Sequence, residues 1–317
     1  MEPRAPTNAG RVAISSHTPV FPAVPSLDVK HLRAAQVAGD GRRALEALVP
    51  AAAPYLCSDP QAPALVMVPG LGMDGLGFIR QLPLGAMADL RLFQTPNEGV
   101  PGEEGLGHFA RHVEEYLGAC RLEQRPGGVV LAGCSMGGAI SLSVAIRARV
   151  KLRGLVLLGS FGNCAHVHWP ARIFGTAVAH VMPLRLSRRF AHFFVSRTRF
   201  FGKMHPGDAD WLVSCKLDRT REYYVRAASS LTSRNQIAAA RTLHVPTLIV
   251  HGTNDHVLPY RAGVELAEAI PGARLVTLQD AGHAIFFTHC EAVNAAIAEF
   301  LENLRSSRVA AAPASGT

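Results

Sequence analysis

Short, mostly apolar runs alternate along this chain with longer stretches whose apolar residues recur at helical spacing. Ala64–Val68, Leu90–Thr95, Gly128–Cys134, Leu152–Leu158, Thr247–His251 and Arg274–Leu278 are rich in Val, Leu and Ile. Runs of that length and composition predict strands buried on both faces, as in a parallel sheet. Between and after them, Gly105–Leu117, Ala139–Ala148, Tyr260–Ala269 and Cys290–Leu304 carry apolar stripes at a period near 3.6, which predicts helices laid on that sheet. The pattern is therefore α/β, with a mostly parallel central sheet flanked by helices.

The alternation fails in two places. Residues 1–26 are rich in Pro, Ala and Ser and read as a loose arm; they precede a helical pattern over His31–Leu48 and a short extended piece, Tyr55–Ser58. Between Ser160 and Arg241 helical spacing continues with no buried strand, so the expected organisation is a core over 27–160, an inserted helical segment over 161–241, the second part of the core over 242–305, and a tail over 306–317. The insertion holds both tryptophans, Trp169 and Trp211, with many other rings, among them Tyr223 and Tyr224. Rings at helical spacing usually pack a segment onto its neighbour; a concentration of them also suits the cover of an apolar pocket.

Charge is uneven in the same way. Thirteen Arg and Lys stand against four acids over 161–241, a balance of +9 that accounts for the whole chain's +8. Such a segment could attract an anionic substrate or an acidic membrane surface, but a solvated helix face is the preferred reading. No nucleic-acid-binding module is recognisable. At 317 residues and 48% hydrophobic the chain is long enough for one large core. No apolar run is long enough to span a bilayer and no signal peptide is evident, so a cytoplasmic location is expected. The six cysteines show no paired spacing, which fits free thiols; Cys134 and Cys120 are expected to face the core. His166 and His168 form the only tight histidine pair, with no Cys or carboxylate cluster beside them in sequence, so no metal is expected.

Candidate chemistry sits where strands end. Gly133, Ser135 and Gly137 complete a G-x-S-x-G pattern after one strand and before one helix. A serine held at positive φ in so sharp a turn needs neighbours two residues away without side chains, and the strain projects its hydroxyl above the sheet. The helix starting there can aim backbone N–H groups near Met136 at a developing oxyanion. Asp255 follows the strand Thr247–His251, and His283 follows Arg274–Leu278. Serine, aspartate and histidine thus occur in the order of a triad built on a parallel sheet, each just past a strand's carboxyl end. Imidazole can take and return the serine proton near neutral pH, and a carboxylate fixes its tautomer.

Three rivals fall away. Asp280 is too near His283 in chain to reach the far side of its ring easily. Centring the motif on Cys134 would put Ala132 and Met136 where glycine is required. Gly70, Gly72 and Gly75 spell G-x-G-x-x-G after a strand, but the acid expected about 20 residues later would be Asp89, which precedes its strand rather than following it.

These segments resemble the α/β-hydrolase superfamily, in its lidded esterase-like and lactonase-like group. The matching stretches are Val66–Asp74, Gly133–Gly138, His251–Pro259 and Asp280–His283. The resemblance implies an α/β-hydrolase fold with 161–241 as a helical lid, and catalytic residues Ser135, Asp255 and His283. It also implies an oxyanion hole from the backbone N–H groups of Leu71 and Met136. The family often has His-Gly where this chain has Pro69–Gly70, and it usually opens with antiparallel strands that are not evident here. The implied activity is cofactor-free cleavage of a small-molecule carboxylic ester, lactone or thioester bearing an apolar acyl or aryl group. The alternatives are acyl transfer by the same triad or a non-catalytic ligand-binding role.

Overall fold

A computed structural model describes residues 57, 59–167, 212, 220–231 and 235–311. The arm 1–26, the expected helix His31–Leu48, Tyr55–Ser58 apart from Cys57, and most of the 161–241 insertion, with Trp169, Trp211, His168 and Cys215, lie outside the described residues.

Six strands form one sheet: β1 (Ala64–Val68), β2 (Asp89–Leu92), β3 (Val129–Cys134), β4 (Gly154–Leu158), β5 (Thr247–Gly252) and β6 (Arg274–Leu278). Their spatial order is β2-β1-β3-β4-β5-β6, and every pairing is parallel. The principal helices are α1 (Leu106–Ala119), α2 (Met136–Arg147), α3 (Arg221–Ser230), α4 (Tyr260–Ala269) and α5 (Cys290–Ala311).

Alternate strand residues feed two cores. Leu65, Met67, Val130 and Val156 pack beneath α5 and the segment 75–86, while Val66, Val68, Leu131 and Leu157 pack against α1, α2 and α4. Both faces are covered, which is why the strand sequences read as nearly continuous apolar runs. Strand order reverses between β1 and β3, so the crevice at their carboxyl ends is the natural ligand position of such a sheet.

Several differences from the sequence pattern have local causes. Gly75–Ala86, to which the sequence pattern assigned no element, is a run of 3₁₀ turns; the Asp74 carboxylate starts it by accepting the Leu76 N–H at 2.8 Å. Asp89 opens β2 and is ion-paired with Arg91 and Arg125 at the sheet's amino edge, away from the glycine turn. α5 continues past Leu304 to Ala311, so residues 306–311, expected in the tail, are helical. The apolar stripe that marks the helix in sequence stops at Leu304, but neither Gly nor Pro interrupts the chain before Pro313. Cys120, expected to face the core, is exposed: it lies one residue beyond α1, where the chain turns away through Arg121 at φ 51°.

Candidate active site

Ser135 ends the turn between β3 and α2 with φ 52° and ψ −123°, a conformation costly for any residue with a side chain. The surroundings enforce it. A Cβ on Gly133 would lie 2.3 Å from the Gly137 carbonyl oxygen, and one on Gly137 would lie 2.2 Å from the Val68 carbonyl oxygen. The Ser135 N–H donates to the Leu158 carbonyl at the end of β4, at 3.0 Å, and the buried Ser160 hydroxyl donates to the Ser135 carbonyl at 2.9 Å. Strain at one residue is thus held by close backbone packing and two further hydrogen bonds.

The acid and the imidazole meet beside the next strand ends. His283 Nδ1 lies 2.8 Å from Asp255 Oδ2, and since a carboxylate only accepts, Nδ1 carries the proton and Nε2 is left as the basic nitrogen. The other oxygen, Oδ1, accepts the N–H groups of Val257 at 2.9 Å and Leu258 at 2.8 Å. Both side chains are buried. Burial by itself would push the Asp255 carboxyl up, but the His283 imidazole and His251 outweigh it and hold the group well below the usual carboxylate range. The pair sits against Gly159, whose Cβ, if present, would be 3.6 Å from Asp255 Oδ2 and 3.8 Å from His283 Nδ1. Gly159 directly follows Leu158, the residue that accepts the Ser135 N–H, so the three sequence-predicted side chains gather at one edge of β3 to β6.

The turn after β1 completes the surround. Met73 N–H donates to the Gly70 carbonyl at 3.2 Å, Gly72 has φ 69° and Leu71 keeps a negative φ, which together define a type II turn. Gly70 approaches Ser135 so closely that a Cβ there would be 3.4 Å from Ser135 Cβ. Met136 is the first residue of α2, and its N–H therefore has no acceptor within its own helix.

The profile of the α/β-hydrolase family matches residues 65–296. The chain belongs to the α/β-hydrolase family. Among its relatives is the pimeloyl-[acyl-carrier protein] methyl ester esterase of Neisseria meningitidis, 30% identical over 178 residues, which cover 54% of this hydrolase and 68% of the relative. Polyketide synthase ThaQ of Burkholderia thailandensis is 27% identical over 279 residues; these span 80% of this chain but 12% of the synthase. Among solved structures, the enol-lactonase of Burkholderia xenovorans superposes with a TM-score of 0.65 at 19% identity, covering 76% of this chain and 92% of the other. The chain is an esterase-like hydrolase of this family.

The hydrolase also uses residues that the sequence pattern did not single out for the site. His251, fully buried, lies four residues before Asp255 with Nε2 2.9 Å from the Leu258 carbonyl and 3.5 Å from Asp255 Oδ2. Its place at the end of an apolar strand, four residues before a candidate acid, was the available signal. Ser160 gave none, because its partner Ser135 lies 25 residues away in the chain. The rival acid Asp280 is exposed and held by Thr253, whose hydroxyl accepts its N–H. The Cys134 thiol is buried and its pKa is pushed up to about 12 by burial, far from a thiolate. Among the described residues no group of three or more His, Cys, Asp or Glu could hold a metal; His166 instead meets Glu265 of α4 at 2.8 Å, a carboxylate close in space though not in sequence. No helix among them is long and apolar enough to cross a membrane.

Proposed function

We propose that this chain is a serine hydrolase that cleaves a carboxylic ester through an acyl-enzyme on Ser135. The observation that carries the reading is the Asp255–His283 hydrogen bond at 2.8 Å beside a serine fixed at positive φ. Asp255 holds Nδ1 protonated, so His283 Nε2 takes the Ser135 proton as the hydroxyl oxygen bonds to the ester carbonyl carbon. The Leu71 and Met136 N–H groups hold the resulting oxyanion. Collapse breaks the bond to the alcohol oxygen, which leaves with the proton from His283. Water then repeats the sequence: its oxygen bonds to the acyl carbon as His283 takes its proton, the acyl–Ser135 bond breaks, and His283 returns the proton to the Ser135 oxygen, leaving carboxylic acid and free Ser135.

The segment 161–241 is read as a lid over this edge, and its concentration of rings favours an apolar acyl or aryl group on a small-molecule ester. The similarity to an esterase acting on a carrier-borne methyl ester adds methyl esters of acyl chains to the substrates worth testing. No step calls on a cofactor. Replacing Ser135 with Ala is expected to lower kcat by about 10⁶-fold, as in other triad knockouts. A panel of p-nitrophenyl esters graded by acyl length, with and without a terminal carboxylate, measures it. Turnover retained by the variant, or failure of a fluorophosphonate to label Ser135 in the folded wild type, refutes the reading.

A further inference from the structure

The turn proposed to carry the oxyanion donor Leu71 is held from outside the sheet. The Gly72 N–H donates to the Tyr223 hydroxyl at 3.1 Å, and the two residues are 151 positions apart in the chain. Tyr223 lies in α3, within the segment that interrupts the α/β alternation, and it is among the largest fully buried side chains. Its ring is fixed edge-on against Phe109 of α1 at 5.7 Å and against Tyr224 at 5.4 Å between centroids. Tyr224 closes the other side of the turn, since a Cβ on Gly72 would meet its hydroxyl at 3.4 Å. α3 holds the neighbouring loop as well: the Arg226 guanidinium donates to the Asn97 carbonyl beyond β2 and lies against Gly99.

The geometry points to Tyr223 as a positioning residue for the oxyanion hole. In a type II turn the central peptide can rotate to exchange turn type, and the φ of the third residue then changes sign. Here that peptide is Leu71–Gly72, and its N–H is the one bonded to Tyr223. The Leu71 N–H belongs to the preceding peptide, so the bond acts on it at one remove: it holds the Leu71–Gly72 peptide, and with it the Leu71 Cα, while Gly70 at the start of the turn rests against Ser135. A donor aimed at a developing oxyanion acts only when its position is fixed before reaction, and a displacement near 1 Å can cost about 100-fold in rate. The inserted segment on this view does more than cover the site: one of its helices sets a catalytic backbone group.

The inference rests on the serine-hydrolase reading, and Tyr223→Phe tests it because the hydroxyl is lost while the ring contacts remain. Sites are counted by fluorophosphonate titration, so that loss of folded enzyme does not register as loss of rate. Per titrated site, kcat on a p-nitrophenyl ester is expected to fall about 10- to 100-fold with KM within about threefold of wild type. Affinity for a trifluoromethyl ketone, whose adduct carries an oxyanion, should fall by the same factor as kcat/KM. Hydrogen exchange at the Gly72 amide gives a readout independent of turnover: the amide is expected to be protected in the wild type and to exchange about tenfold faster or more in the variant, with β3 and β4 amides unchanged. Wild-type kcat per titrated site in Tyr223→Phe overturns the inference. So does exchange of the wild-type Gly72 amide at the rate of an open chain, a result obtainable even if the variant fails to fold. Failure of Ser135 to take up the fluorophosphonate overturns instead the reading beneath it, and Gly72 exchange still reports whether the clamp exists.

Discussion

Replacing Asp255 with Asn tests how the carboxylate acts on the imidazole, because the structure dictates which way the new amide must face. Oδ1 accepts two backbone N–H groups, from Val257 and Leu258, and an NH₂ at that position would set donor against donor twice. The amide oxygen therefore stays there and the NH₂ takes the place of Oδ2, 2.8 Å from His283 Nδ1. A donor now faces Nδ1, so Nδ1 must accept and the ring proton moves to Nε2, the nitrogen that has to receive the Ser135 proton. The fold should survive, since the two backbone bonds persist, but the base is in the wrong tautomer. The same change in a triad on an unrelated fold lowers kcat by about 10⁴-fold, about 5.5 kcal/mol at 1.36 kcal/mol per decade. Steady-state hydrolysis of a p-nitrophenyl ester measures it beside Asp280→Asn, which is expected to stay within about twofold of wild type. A second readout is stability against pH. The folded pKa of Asp255 lies below its unfolded value of about 3.9, so its contribution is complete above that value and is lost as pH falls toward the folded one. Below about pH 4 the wild type should therefore lose stability more steeply than Asp255→Asn. Retention of more than about a tenth of wild-type kcat by Asp255→Asn, or an equal loss in Asp280→Asn, would refute the tautomer argument.

The elbow and the cysteines give two more tests. Gly137→Ala would drive a Cβ to 2.2 Å from the Val68 carbonyl oxygen and should destabilise the protein by about 3 kcal/mol or more in urea unfolding, whereas Gly118→Ala, near the exposed end of α1 with nothing within 4 Å, should stabilise it by about 0.5 kcal/mol. A loss below about 1 kcal/mol at Gly137 would contradict the close packing described for the turn. Iodoacetamide at pH 8 is expected to modify exposed Cys120 and spare Cys134 in folded protein, as mass spectrometry of tryptic peptides would show. Modification of Cys134 at a comparable rate would reverse that assignment.

The layered sheet and the three candidate side chains at its edge were legible in the sequence, because both signals are local. A strand buried on two faces must be apolar along its length, and β1, buried throughout, accordingly matches its expected bounds residue for residue. A serine at positive φ between a strand and a helix must have glycines two residues to either side, so Gly133 and Gly137 announce it without any knowledge of the fold. Asp255 and His283 could be chosen because each follows a strand in triad order. Local pattern also left gaps: no element was assigned to Gly75–Ala86, and the end of the apolar stripe at Leu304 concealed the last turns of α5. What only the tertiary structure decided are the contacts between segments far apart in the chain. Ser160 on the Ser135 carbonyl and Tyr223 on the Gly72 N–H, 25 and 151 residues apart, depend on strand order and on where α3 comes to rest. Periodicity says which face of an element is buried, but not which hydroxyl on that face will meet a partner on another element.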